Sequence, residues 1–328
     1  MTWVVGLDCG ASNARAVVLD RNGRLLARSA HACGAAATSN DLAPTTQAIE
    51  SAVREAVDRA GAELPAASLW AGVAGAGRAG VASQLEEALR STGLAQRVTV
   101  GTDADTALHA AFGTGEGVVV IAGTGSVALA RRTSPEAPGG YRRFRVGGWG
   151  PAIDDAGSGC WIGMRALKAV ARATDGRDPE TSLTDRVAGH LGDANIVTWA
   201  EKATRRDLAD LAPLVFGEYE QGDHAAQAIV EDARAALTEL ARRAVRRSGP
   251  WMEPAPLALV GGLVGEGGPL RNLVVDGLAA RGRSHPRRRD AARDEIRSRE
   301  EVRIRLVEGG DAALAAARLA LAAVDRNQ

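Results

Sequence analysis

Two stretches of this chain share one design, and that design limits what it can fold into. "VVGLDCGASNARAVVLD" (residues 4–20) and "GVVVIAGTGSVALARR" (residues 117–132) each read as an apolar strand, a corner of small residues and a second apolar strand. Continuous apolar runs of this kind suit strands buried on both faces. Each hairpin is followed by alternating helix and strand signals, so the order hairpin, helices and strands occurs twice. That order predicts an α/β chain of two lobes, each with a mixed sheet, and a ligand between them. The first corner also carries Asp8, an acid inside a buried run. Two readings of such a corner are open: an ordinary tight turn, or a backbone that must come close to a phosphate.

In the first lobe, strands are expected at Val4–Leu7, Arg15–Leu19 and Leu25–Ser29, with "DRNG" (Asp20–Gly23) turning between the last two. A helix follows over Asp41–Ala60, where Ile49, Val53 and Val57 recur four apart. "SLWAGVAG" reads as a strand, Gly80–Arg90 as a helix and "RVTVGTDAD" as a strand ending in acids. In the second lobe, helices are expected over 158–174, 181–192, 204–220 and 223–248. Strands at Leu257–Val260 and Val302–Leu306 enclose a helix near Pro269–Ala280, and a last helix covers Asp311–Val324. The expected boundaries are 1–113 for the first lobe and 114–328 for the second, with the last helix (311–324) packing back on the first.

Bulk properties exclude several classes. With 40 basic and 40 acidic residues among 328, the net charge is zero, which gives no general attraction to nucleic acid or anionic membrane. Lys168 and Lys202 are the only lysines, and no G-x-x-x-x-G-K-[ST] occurs, so a Walker-type nucleotide site is excluded. Cys9, Cys33 and Cys160 form no C-x-x-C pair. "MTWVVGLD" lacks the basic and apolar regions of a signal peptide, and no apolar run approaches the ~20 residues that span a bilayer. The expected location is the cytoplasm. The arginine-rich stretch 281–299 has interspersed acids and no aromatic residue to stack on bases, so it reads as a solvated insertion.

"GAGRAG" (Gly75–Gly80) is a literal G-x-G-x-x-G between a strand and a helix, with Asp103 ending the next strand. Alone it would indicate an NAD(P)-dependent oxidoreductase, but that reading leaves the glycine corner of the first strand unexplained. Another reading uses more of the chain. Corners at Asp8–Asn13 and Gly123–Ser126 would aim backbone N–H groups at phosphates, and "LVGGLVGEGG" (Leu259–Gly268) would face a nucleoside. Such a set suits ATP without a P-loop lysine.

With these motifs in hand, the chain resembles the N-acetylglucosamine kinase and BadF/BadG-type ATPase family, within the superfamily of sugar kinases, heat-shock chaperone ATPases and actin. The resemblance rests on "GLDCGASNARAVVLDRNGRLLARS", "AGVAGAGR", "TDADTALHAAFGTGEGVVVIAGTGSVALAR", "GGWGPAIDDAGSGCWIGMRAL", "LVGGLVGEGGPLR" and "VEGGDAALAAARLAL". It implies the two-lobed actin-like fold with ribonuclease H-like lobes, ATP and Mg²⁺ between them, and transfer of a phosphoryl group to an amino-sugar hydroxyl, commonly the 6-hydroxyl. It implies a homodimer as well. By the same resemblance Asp8 is the metal's acid, and Gly10, Ser12 and Asn13 form the first phosphate loop. Gly123, Thr124 and Gly125 form the second, Gly261 and Gly262 belong to the adenosine loop, and Asp103 is the general base. Asp155 holds sugar hydroxyls, and Gly148, Trp149, Thr124 and Asn40 complete the sugar side.

From the residues alone, Asp103 has a second reading as a helix N-cap, a role Asp105 could fill instead. Trp161, Cys160, Met164 and Leu167 read as one apolar helix face. Cys9 and Ala11 stand where the family has glycines, Asp154 and Ala156 where it has glycine and glutamate, and no clear asparagine follows the third strand. These differences leave the sugar open among glucosamine, N-acetylglucosamine and muramic-type sugars. Two further readings stay open: an ATPase coupled to a partner protein, and a sugar sensor on a degenerate kinase fold.

Overall fold

The computed structural model describes residues 2–10, 13–32, 42–192, 194–280 and 303–325. It divides into two compact units. One comprises Met1–Gly115, Leu191–Leu211 and Glu308–Gln328; the other comprises Glu116–His190 and Ala212–Val307. The last helix therefore belongs with the first unit, as does a short segment from the middle of the chain. Each unit is built on a five-stranded mixed sheet, and the fold is a two-lobed α/β architecture.

The first sheet contains β1 (Trp3–Cys9), β2 (Asn13–Asp20), β3 (Leu25–Ala32), β4 (Ser68–Val73) and β5 (Val98–Thr102), in the order β3-β2-β1-β4-β5. The first three strands are antiparallel, while β1, β4 and β5 run parallel. A dinucleotide fold on "GAGRAG" needs a parallel doubly wound sheet opened by its glycine loop. Here the loop follows β4 in the interior of a mixed sheet, so that reading is withdrawn.

Alternation along β1 sorts its side chains between two faces. Trp3, Val5, Leu7 and Cys9 enter a core with α1 (Ala43–Ala60) and α2 (Val81–Ser91), including Ile49, Val53, Leu85 and Leu89. Val4 faces the other way, toward α11 (Ala312–Asp325) and its Ala313, Ala317 and Ala320. Full burial of each large apolar side chain contributes about 1.5–3 kcal/mol, and small residues set the spacing. A Cβ on Gly6 would overlap the backbone at Ala316 and Ala317, so glycine on β1 is what lets an alanine-rich helix lie directly on the sheet. Helix α3 (Asp103–Phe112) packs beside α11.

The second sheet contains β6 (Gly117–Ala122), β7 (Ser126–Thr133), β8 (Tyr141–Gly147), β9 (Ala255–Val260) and β10 (Ile304–Val307), in the order β10-β9-β6-β7-β8. Against it lies the 25-residue α9 (His224–Ser248), which buries Ile229, Val230, Ala233, Leu237 and Val245. The remaining helices are α4 (Gly159–Thr174), α5 (Leu183–Leu191), α6 (Ile196–Lys202), α7 (Arg205–Ala209), α8 (Ala212–Glu220) and α10 (Arg271–Ala279).

Three local expectations need correction. The helix expected over 204–220 is two helices, because Pro213 lacks the N–H that would carry the first across the gap and instead opens the first turn of α8. β8 and α6 were not legible: β8 is an edge strand, "YRRFRVG", whose arginines break the apolar alternation, and α6 buries none of its residues. Met164 does not share the buried face of α4. It is 49% exposed, while Cys160 is fully buried.

Candidate active site

The first unit gathers its acids where parallel strands end. Asp8 lies one residue before the end of β1, paired across the sheet with Gly72 of β4 and on its other side with Arg15 of β2. Gly72 pairs in turn with Gly101 of β5, and Asp103 opens α3 two residues later. Ligand chemistry in α/β sheets collects at the carboxyl ends of such strands. Burial pushes the Asp8 carboxyl from 3.8 up to about 6; the charges of Asp103 and Asp311 push it the same way, and Arg15 opposes them. Asp311, which the sequence reading did not single out, therefore belongs to this group. Against the effect of its own burial, the N–H groups of Leu314 and Ala313 and the Arg28 guanidinium hold Asp311 below the usual carboxylate range.

Asp103 is not the helix cap. Thr102 is the N-cap, its hydroxyl accepting from Asp105 N–H at 3.0 Å while Asp105 Oδ2 accepts from the Thr102 hydroxyl at 2.8 Å. This Thr-x-x-Asp box relieves Asp103 of capping and places it on the first turn, where its Oδ1 accepts from Ala104 N–H at 2.9 Å. A tight contact fixes that turn. The Thr106 hydroxyl donates to Thr102 O at 2.9 Å and fills the space a Cβ on Gly72 would occupy.

Around the first corner, Gly10 N–H donates to Asn13 O at 2.9 Å, closing the hairpin. A Cβ on Gly10 would meet nothing nearer than 3.9 Å. Asn13 opens β2 and is exposed. Cys9, one of the departures from the family's glycines, is 1% exposed and lies in the α1–α2 core. Alternation therefore sends its side chain to the face opposite Asp8, and it does not narrow the approach on the acid's side. Ser12, Ala11, Asn40, Cys33 and the stretch 281–299 lie outside the described residues.

The second unit forms its corner from behind. Gly159 N–H donates to Gly123 O at 2.8 Å and Cys160 N–H to Thr124 O at 3.3 Å, both from the start of α4. In a planar trans peptide the C=O and N–H point in opposite directions. With both carbonyls turned to α4, the N–H groups of Thr124 and Gly125 point away from it. A Cβ on Gly123 would meet no atom within 4 Å. Beside this corner, Leu263 N–H donates to Ala122 O at 3.1 Å, which joins the Gly261–Gly265 loop to the end of β6. Gly261 has φ +100° and a Cβ there would overlap Ala122 O, whereas Gly262 faces open space. Of this pair, Gly261 is required by the backbone and Gly262 leaves room for an approaching group.

Asp155 lies against the glycine corner. It is 3% exposed, and its Oδ1 accepts from Ser126 N–H at 2.7 Å, while the Ser126 hydroxyl donates to Ala156 O at 2.9 Å. This acid braces the glycine corner through Ser126. Trp149, by contrast, is 67% exposed on a turn closed by Trp149 N–H to Asp154 O at 3.1 Å, with the Arg145 guanidinium 5.8 Å from its ring. Gly148 has φ +71°, and a Cβ there would press on Val127.

A divalent cation fits the first unit's acids: Asp8, partly buried and beside two other carboxylates, carries repulsion that a cation relieves. Among the described residues no cluster of three or more His, Cys, Asp or Glu could hold a metal by itself. A hard ion there would complete its shell with water and phosphate oxygens, as Mg²⁺ does. Among the described residues no helix is long and apolar enough to cross a membrane.

Comparisons with known proteins identify the family. The chain is 30% identical to the N-acetyl-D-glucosamine kinase of Dictyostelium discoideum over 293 residues, covering 82% of this chain and 88% of that one. It is 26% identical to a glucosamine kinase of Vibrio cholerae, covering 85% of this chain and all of the other. The crystal structure of a Chromobacterium violaceum protein, provisionally named N-acetylglucosamine kinase, superposes with a TM-score of 0.74 at 28% identity, covering 98% and 99% of the two chains. The model of the BadF/BadG/BcrA/BcrD ATPase family matches residues 5–283, and the chain belongs to that family.

Proposed function

We propose that this protein is an ATP-dependent kinase of amino sugars, with Asp103 as the general base that takes the proton of the attacking sugar hydroxyl. The observation that carries the reading is the nearness of Asp8 and Asp103 at the carboxyl ends of β1 and β5, the charge of Asp103 being felt at Asp8. Phosphoryl transfer asks little covalent work of a protein: it needs an aligned acceptor, charge neutralisation and N–H donors on the phosphates. The first unit supplies the acids. Asp103 stands on a helix turn fixed by the Thr102–Asp105 box, which suits a group that must meet a hydroxyl within hydrogen-bond reach. Mg²⁺, when bound, neutralises phosphate charge beside Asp8.

The second unit supplies donors: the Thr124 and Gly125 N–H groups are turned outward by the bonds from α4, and Gly123 leaves space before them. Gly261 and Gly262, joined to β6 at Ala122, take the adenosine side. Gly10, Ser12 and Asn13 form the other phosphate loop. Trp149 offers an exposed ring to a sugar face, and Gly148, Thr124 and Asn40 are the further residues assigned to the sugar; Asp155 positions the second corner through Ser126. The named relatives act on glucosamine and N-acetylglucosamine, which supports the amino-sugar class and leaves the N-substituent open. A cytoplasmic homodimer using the 6-hydroxyl is part of this proposal.

The test is ADP release from Mg·ATP across glucosamine, N-acetylglucosamine, N-acetylmannosamine, muramic sugars and glucose. An amino-sugar kinase releases ADP only with an amino sugar. Release at an equal rate without sugar would favour a partner-coupled ATPase, and none with any sugar would favour a sensor.

A further inference from the structure

A groove in the second unit is lined by no residue of either glycine corner and plays no part in the reading above. Near its start α4 sits tightly on α9: a Cβ on Gly157 would lie 2.6 Å from Leu237 Cγ. Nearly two turns into the helix, Arg165 Nη2 pairs with Asp232 at 2.7 Å. Beyond that pair, the second half of α4 and the first two turns of α9 border a groove of about 360 Å³, within the size range of small-molecule sites.

Its chemistry is divided. Ile229, Pro179 and three alanines make an apolar wall, while Arg165, Lys168, Arg172 and His224 bring positive or ionisable groups to the edge, against one carboxylate, Asp178, and the Thr181 hydroxyl. Their partners differ. Asp232 holds Arg165, and Asp178 takes Arg172 through Nε and Nη2 at 2.6 and 2.7 Å, leaving the Nη1 donors of Arg172 unused among the described residues. Lys168 forms no ion pair or hydrogen bond with the described residues. The first turn of α9 is not itself the attraction, because the Asp223 carboxylate already caps it through Ala226 N–H.

We propose that this α4–α9 groove is a second binding site, for a small organic phosphate. The phosphate would lie between Lys168 and the open edge of Arg172, and the organic body on the Ile229–Pro179 wall. Lysine suits a phosphate as a compact point charge, and a guanidinium edge adds directed donors. A bare anion would use only half of the groove; an uncharged apolar molecule would leave Lys168 unanswered.

The probe is phenyl phosphate, titrated calorimetrically into the full chain without nucleotide at physiological salt, with phenol and inorganic phosphate as controls. Phenyl phosphate binds, and each control binds at least several-fold more weakly. Lys168→Gln, an exposed substitution whose fold is checked by circular dichroism, weakens phenyl phosphate about tenfold or more, as loss of a charged hydrogen bond does. Ala228→Phe, which fills the groove, abolishes binding, whereas Gly262→Ala leaves it unchanged. Undiminished binding in Lys168→Gln, loss in Gly262→Ala alone, or no binding by wild type would overturn the proposal. None of these readouts depends on kinase activity, so failure here and failure of the kinase reading are separate results.

Discussion

Asp8→Asn is expected to stabilise the ligand-free protein while removing its activity. The native fold keeps a proton on Asp8 up to about pH 6, whereas the unfolded chain releases it near 3.8. Between those values the folded state binds more protons, so stability falls as pH rises from about 4 to 6, and the loss is complete at pH 7. Roughly two pH units at 1.36 kcal/mol each amount to about 3 kcal/mol. An amide cannot ionise and escapes that loss, though it spends part of the gain on burying its own N–H groups; a net gain of about 1–2 kcal/mol at pH 7.5 remains. Thermal and urea unfolding of both proteins at pH 7.5 and pH 4.5 measure it. The variant should be the more stable at pH 7.5 and lose that advantage at pH 4.5. Adding Mg·ADP should reverse the order, because ligand binding stabilises only the protein that holds it. A variant less stable than wild type at pH 7.5, with the same pH slope, would refute the reasoning that Asp8 is a strained acid awaiting a cation.

Four further outcomes follow from the packing. Gly72→Ala drives a methyl group into the Thr106 hydroxyl and should cost about 1–3 kcal/mol in urea unfolding, with a fall in kcat because the displaced turn carries Asp103. Asp155→Ala leaves Ser126 N–H without its buried acceptor and should cost about 1–3 kcal/mol; KM should rise for ATP rather than for sugar, and Asp155→Asn, which keeps an oxygen acceptor, should recover much of both. Trp149→Ala removes a ring that is 67% exposed, so stability should change by no more than about 0.5 kcal/mol while KM for the sugar rises. Cys9→Gly should destabilise the first unit by about 1–2 kcal/mol without tightening ATP, since its side chain lies in the core.

The double hairpin was legible because its signals are local: apolar runs for buried strands and glycines for corners. The nearness of Asp8 and Asp103 is different in kind, because it depends on β1, β4 and β5 pairing in parallel from distant parts of the chain. What escaped the sequence were features set by partners far along the chain. Asp311 joins Asp8 through the packing of α11 on β1, some 300 residues away. Asp155 reads like an exposed loop acid, yet a β-hairpin N–H 29 residues earlier holds it in the interior. The roles of Thr102 and Asp105 could have been found, since Thr-x-x-Asp before an alanine-rich run is a capping box in plain sequence. β8 could not: its arginines hide an edge strand whose place is fixed only by pairing with β7.

The central claim is that Asp103 accepts a proton from an amino-sugar hydroxyl during transfer from ATP. The most direct measurement follows sugar phosphate and ADP together by phosphorus NMR in wild type and Asp103→Asn, with glucosamine and N-acetylglucosamine in turn. The account predicts equal amounts of sugar phosphate and ADP from wild type with at least one of these sugars. It also predicts a loss of at least about 100-fold in Asp103→Asn, with thermal stabilisation by Mg·ADP retained. Full turnover in Asp103→Asn, or ADP without sugar phosphate in wild type, would contradict it.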